Sequence, residues 1–217
     1  MGCFITFEGV EGCGKSTQIR RLADRLSGLG HRVTLTREPG GCDIADKIRS
    51  ILLDAANARM VPLAELLLYA AARAQHISEV IRPALDRGEI VLCDRFIDAT
   101  VAYQGNGRQL DMELINRLNS LVASSCRPDM TVLLDCPVET GLGRAMARIE
   151  ALGSSAGSVA REERFERESL EFHQRVRSGY LSLAAAEPDR FCTVDATGSV
   201  EEIFNRIEPL VLARLCR

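Results

Sequence analysis

The sequence predicts an α/β protein: a doubly wound parallel sheet of about five strands flanked by helices and carrying a mobile lid. Three observations predict it. Short apolar runs rich in β-branched residues alternate with helical patterns along the whole chain. Charged pairs fall just behind those runs, where the ligands of parallel sheets gather. The first run, Phe4-Ile-Thr-Phe7, feeds Gly9-Val-Glu-Gly-Cys-Gly-Lys-Ser16, a G-x-x-x-x-G-K-[ST] loop followed at once by a helical pattern.

The loop's residue types explain its chemistry. Gly9, Gly12 and Gly14 let the backbone turn tightly enough for successive N–H groups to face a polyphosphate, and the next helix presents its positive end to the same anion. Val10, Glu11, Cys13 and Thr17 complete the nucleotide cradle. Lys15 supplies a point charge for the β- and γ-phosphates, and the Ser16 hydroxyl is the expected Mg²⁺ ligand. With Lys15 and Lys47 the only lysines, a chance match is rare. Without nucleotide, the loop and Lys15 are expected to face solvent.

Length and composition bound the rest. At 217 residues the chain can bury a proper core, and one domain over 1–217 is expected, with a lid segment at about 150–168. A net charge of −3, with 46% apolar and 26% charged residues, gives no electrostatic reason for nucleic acid or a membrane as partner. The eight cysteines show no C-x-x-C spacing, and several interrupt apolar runs as small hydrophobes do, the usage of reduced thiols in a cytoplasmic protein. No basic leader precedes the first strand, and Glu65 and Arg73 break the longest apolar helical stretch, so neither a targeting nor a transmembrane segment is expected.

In chain order, helical spacing runs from Ser16 through Leu22 and Leu26 to Gly28 and Gly30, which stop it. Val33 and Leu35 mark a second strand ending in Arg37-Glu-Pro-Gly-Gly41, a turn that should share the crevice of the phosphate loop. Ile44, Ile48, Ile51 and Leu52 space one helix. Pro62 opens a longer one through Leu66, Ala70 and Ile77 to about Ile81, and Pro83 should kink or end it. Glu89-Ile-Val-Leu-Cys93 reads as a strand buried on both faces, delivering Asp94 and Arg95 to its carboxyl end. Asp111 can cap a helix carrying Leu114, Leu118 and Val122; Met130-Thr-Val-Leu-Leu-Asp135 is another buried strand, and Pro137 opens a further helix. Asp135 is open to a structural or a second Mg²⁺ role. The glycine- and serine-rich stretch 153–158 has the composition of a mobile loop, and the charge-dense stretch 161–168 that of a solvated helix face or an arginine-bearing flap. From Phe165 a helix resumes, Phe191-Cys-Thr-Val-Asp195 is the last strand, and Ser199 with Glu202 forms a capping box.

Four separated pieces, the phosphate loop with its flanks, Thr36-Arg-Glu-Pro-Gly-Gly41, Leu67-Leu-Tyr-Ala-Ala-Ala-Arg73 and Asp94-Arg-Phe-Ile-Asp-Ala-Thr-Val-Ala-Tyr-Gln-Gly105, together resemble bacterial thymidylate kinases in order and spacing over essentially the whole chain. The resemblance implies ATP-dependent, Mg²⁺-assisted phosphorylation of dTMP to dTDP by a homodimer. It places Glu11 near the sugar 3′-hydroxyl, Arg95 on the acceptor phosphate with Arg37 bordering it, and Asp94 near Mg²⁺. It stacks Tyr69 on thymine, puts Arg73 and Gln104 at the base edge with Thr100 nearby, and packs Tyr103 by the sugar. Glu163-Arg-Phe-Glu166 resembles the family's lid motif, with Arg161 or Arg164 reaching the transferring phosphoryl group. Ala99 stands where the family usually has serine, Glu163 where it has aspartate, and Gly12 where some relatives carry arginine. Another nucleoside monophosphate as acceptor therefore stays open, while a guanine-reading switch protein lacks its N-K-x-D segment.

The physics agrees with such a site. A phosphate monoester is largely dianionic near neutral pH, its second pKa being roughly 6, so it needs no general base. It needs cations and alignment against an anionic donor.

Overall fold

A computed structural model of the chain describes residues 2–123, 125–152, 164–165 and 167–216. Among them five strands, β1 (Cys3–Glu8), β2 (Val33–Arg37), β3 (Ile90–Asp94), β4 (Met130–Asp135) and β5 (Phe191–Asp195), form one parallel sheet in the order β2-β3-β1-β4-β5. From β1 the chain goes to the edge strand β2 and returns to place β3 between β2 and β1, then crosses to β4 and β5 on the other side. The crevice at this change of direction opens beyond the carboxyl end of β1.

Alternation along the strands sends side chains to two cores. Ile5, Phe7, Ile90 and Leu92 join Ile19, Leu22 and Leu26 of α1 (Lys15–Gly28) on one face. Phe4, Val91 and Cys93 join Ile77, Ile81 and Ala84 on the other. Register then sets the site: Arg37 of β2 and Phe7 of β1 both lie opposite Asp94 of β3, so three strand ends finish level.

The helices follow the expected spacing, with two instructive departures. After α2 (Asp43–Leu53), α3 (Pro62–His76) widens into a π-helical turn at Ile77–Ile81, then continues as α4 (Arg82–Asp86). Pro83 sits in the first turn of α4, directly after the π-helical turn, so the helix changes type before the proline and continues through it. A second π-helical turn, Val101–Gly107, extends the short α5 (Ile97–Thr100) and carries Tyr103 and Gln104, both cleft-lining and both buried. Asp111 accepts from the Glu113 N–H at 2.9 Å and starts α6 (Met112–Ala123). α7 (Val138–Leu152) follows β4, and α8 (Leu170–Ala186) opens on a Ser169 cap, so Phe165 precedes that helix instead of belonging to it. The Ser199–Glu202 capping box opens α9 (Val200–Leu215) as expected. No helix among the described residues is long and apolar enough to cross a membrane. The stretch 153–158 and Arg161 lie outside the described residues.

Candidate active site

A cleft of about 1100 Å³ opens at the carboxyl ends of the strands. It is lined by residues 11–20, by Arg37, Asp94 and Arg95 at the strand ends, by Tyr69, Arg73, Ala99, Thr100, Tyr103, Gln104 and Phe165, and by Arg144, Arg148, Ser199 and Val200. Single small-molecule sites run to about 300–1,000 Å³, so this volume suits two ligands side by side.

The phosphate loop is seated by close backbone approaches. A Cβ on Gly12, at φ +66, would meet Gly141 O of α7 at 1.9 Å, and one on Gly9, at φ +137, would meet Leu134 O at 2.4 Å. Glycine at position 12 is thus a packing requirement, and an arginine there could not fit without moving α7. Lys15 departs from expectation. It is only 7% exposed, its Nζ folded back to donate to Gly9 O and Val10 O at 2.9 Å each, with Cys13 Sγ at 3.4 Å. The ammonium satisfies the loop's own carbonyls, contacts that a polyphosphate would exchange for its oxygens. Ser16 Oγ donates to Asp94 Oδ2 at 2.9 Å, bringing the first turn of α1 to the end of β3. A hydroxyl and a carboxylate are the hard oxygen donors that Mg²⁺ takes, and they leave most positions to phosphate oxygens and water. Asp135 is different: Arg177 donates to both its oxygens, at 2.7 and 2.9 Å, which favours the structural role.

Arg95 occupies a left-handed backbone conformation, φ +71, that turns its side chain back over the phosphate loop. Its guanidinium donates to Gly9 O at 3.0 Å, Tyr180 Oη at 3.1 Å and Glu11 Oε1 at 3.1 Å, and lies 4.7 Å from the centre of the Tyr103 ring. Tyr103 Oη donates to the same Glu11 oxygen. Burial opposes the Glu11 charge, yet His173, Arg95, Lys15 and Tyr103 outweigh it and hold the carboxyl down at about 2.

On the α3 side, Tyr69 and Arg73 stand four residues apart and both line the cleft. Arg73 is 2% exposed, donating to Glu38 Oε2 at 2.7 Å, Thr100 Oγ1 at 2.9 Å, Phe96 O at 3.0 Å and Asn119 Oδ1 at 3.3 Å. His76 Nδ1, 3.0 Å from Glu38 Oε1, completes this buried cluster. Gln104 donates to Glu65 Oε1 at 2.7 Å, so its amide orientation is preset. Arg37 is freer, its side chain 57% exposed and 3.5 Å from Asp46. Arg164, one of the two arginines expected to reach the transferring phosphoryl group, is buried at 6% exposure, donating to Leu52 O at 2.6 Å and paired with Glu65 at 2.7 Å. Its neighbour Phe165 forms part of the cleft wall, its ring centre 6.4 Å from Tyr69 and 5.5 Å from Tyr103. Of the two readings of this stretch, a solvated helix face or an arginine-bearing flap, burial of Arg164 and Phe165 does not fit the solvated face.

Under the loop, Glu8 is fully buried, accepting from Phe96 N and Tyr180 Oη at 2.7 Å each. Burial, reinforced by the Asp98 charge, pushes its carboxyl up to about 8 against the opposing pull of Arg95. The folded protein therefore keeps a proton that an exposed glutamate releases near 4.5, and stability falls as pH rises from that value toward 8. Glu8→Gln should flatten this slope, and urea unfolding at pH 5 and pH 8 checks it: the variant gains on wild type at the higher pH.

The sequence reading placed the turn that carries Glu38 at the crevice but gave Glu38 no partner, and it gave no orienting role to Glu65, Tyr180, His173 and Phe165. Glu65 carried a signal, standing four residues before Tyr69 on the same helical face; the roles of Tyr180, His173 and Phe165 depend on tertiary approach.

Comparisons with known proteins agree with this geometry. The family model for thymidylate kinase matches residues 7–207. A thymidylate kinase of Geobacter sp. (strain M21) is 63% identical over 215 residues, covering 99% of this chain and 93% of its own length. That of Geobacter sulfurreducens is 61% identical over 217 residues, the full length of both chains. The crystal structure of thymidylate kinase from Ehrlichia chaffeensis superposes with a TM-score of 0.74 at 33% identity, covering 99% of this chain and 98% of that one. The chain belongs to the thymidylate kinase family.

Proposed function

We propose that the cleft transfers the γ-phosphoryl group of ATP to dTMP, giving ADP and dTDP. One observation carries this reading: a phosphate loop and an arginine-bearing acceptor wall share a single cleft large enough for two nucleotides. The loop amides and Lys15 would hold the donor phosphates, with Arg144, Arg148 and the start of α9 beside the donor nucleoside. Ser16 and Asp94 would hold Mg²⁺, which when bound neutralises charge on the donor phosphates. Arg95, with Arg37 at the rim, would align the acceptor phosphate. A phosphate oxygen of dTMP forms its bond to the γ-phosphorus as the bond to the β–γ bridging oxygen breaks, and the electron pair leaves with ADP. Tyr69 would cover the thymine ring, Arg73, Thr100 and Gln104 would read its edge, and Tyr103 and Glu11 would line the sugar. Arg161 or Arg164 would reach the transferring phosphoryl group, Arg164 by exchanging its Glu65 contact for the phosphoryl oxygens.

We further propose a cytoplasmic homodimer. Eight free thiols support the compartment, and the exposed Leu63 and Leu67 on α3, beside Leu114 on α6, support a second copy as partner. Incubation with ATP, Mg²⁺ and dTMP should yield dTDP and ADP in equal amounts, and chelation of the metal should stop both. Formation of dTDP undiminished by chelation would remove the Ser16–Asp94 assignment.

A further inference from the structure

Glu11 Oε2 and His173 Nδ1 are both buried, lie 3.2 Å apart, and find no well-aligned hydrogen-bond partner among the described residues. Buried polar atoms rarely go unanswered, so each is the other's counterpart. The ring's other nitrogen fixes its orientation: Nε2 is 3.0 Å from Phe165 O, and a carbonyl only accepts, so Nε2 carries a hydrogen and donates it. Nδ1 is thereby turned on the carboxylate. Nδ1 and Oε2 thus face each other at 3.2 Å, the position at which a donor on the ring would meet the carboxylate. The other carboxylate oxygen is already shared by Arg95 and Tyr103.

An ordinary core histidine answers to one carbonyl. His173, wholly buried on α8, instead joins the phosphate loop to the cleft wall at Phe165. We propose that His173 is a positioning residue for the acceptor. By holding Oε2 of Glu11 it keeps Oε1 directed at Arg95 and Tyr103, and so sets the guanidinium that meets the acceptor phosphate. This rests on the reading of Arg95 as the acceptor-phosphate residue.

Three substitutions separate the two ring contacts. His173→Asn keeps a donor near the Nδ1 position and answers only Glu11. His173→Gln carries its donor to the Nε2 position and answers only Phe165 O. His173→Phe fills the space and answers neither. With folding of each verified by thermal melting, His173→Phe should raise the KM for dTMP about tenfold while the KM for ATP stays within about twofold, the scale of one hydrogen bond to a charged group. His173→Asn should recover most of that loss and His173→Gln should not. In a Glu11→Gln background, His173→Phe should cost nothing more. An unchanged dTMP KM in His173→Phe, recovery by glutamine instead of asparagine, or additive losses in the double variant would each overturn the proposal. If His173→Phe fails to fold, the asparagine–glutamine comparison decides alone. Wild-type protein that phosphorylates a different monophosphate would overturn the acceptor reading separately, and the same variants are then compared on that acceptor.

Discussion

Replacing Lys15 with methionine is expected to lower kcat about 10³-fold, roughly 4 kcal/mol of transition-state stabilisation. Methionine fills the stem volume but removes the charge that would balance the transferring phosphoryl group. The fold should survive, because the ammonium's present partners are the Gly9 and Val10 carbonyls beside an open cleft, where water can replace it. Steady-state kinetics beside a thermal melt checks both halves. Retention of most of kcat would show that the folded-back lysine never leaves the loop carbonyls.

Arg95→Lys is the second large effect. Lysine keeps the positive charge but not the planar fork, which reaches Gly9 O, Tyr180 and Glu11 at once and cannot be reproduced by a point charge. The kcat/KM for dTMP should fall about 10²-fold, roughly 2.7 kcal/mol, with the KM for ATP nearly unchanged. A loss confined to ATP would move Arg95 to the donor side. Arg73 is a poorer probe, although it lies in the same cleft. Its removal would leave the Glu38 carboxylate buried without its cation, and that alone costs about 3–5 kcal/mol of stability.

What the sequence made legible was local or periodic. The phosphate loop is contiguous, so its glycines, Lys15 and Ser16 could be assigned from spacing, and their seat against Leu134 O and Gly141 O supplies the physical reason. Asp94 and Arg95 could be placed because a doubly buried strand must end at the crevice. Tyr69 and Arg73 share a face because they stand one helical turn apart. The orientation of these groups was not legible. Nothing local says that Arg73 is held by Glu38, Gln104 by Glu65, or Glu11 by His173, because each pair is made by packing between separate elements. Lys15 and Arg164 show the same limit from the other side. Lys15 was expected to face solvent and Arg164 to lie on a solvated face or a flap; Lys15 is folded onto its own loop carbonyls and Arg164 onto Glu65 of α3. Pro83 was read as a kink or an end; the helix instead changes to a π-helical turn over Ile77–Ile81 just before it and continues as α4, a choice between the two that local sequence does not make.

The central claim, phosphoryl transfer to dTMP in a pocket built from Tyr69, Arg73 and Gln104, is tested most directly by ADP release from ATP and Mg²⁺ across a panel of monophosphates. The kcat/KM for dTMP should exceed those for dCMP, dGMP and AMP by at least about 10²-fold, since the preset Arg73 and Gln104 donors are left unpaired by the wrong base edge. Equal values across the panel, or a different monophosphate in first place, would contradict the pocket assignment and point to Ala99 and Thr100 as the positions that set the acceptor.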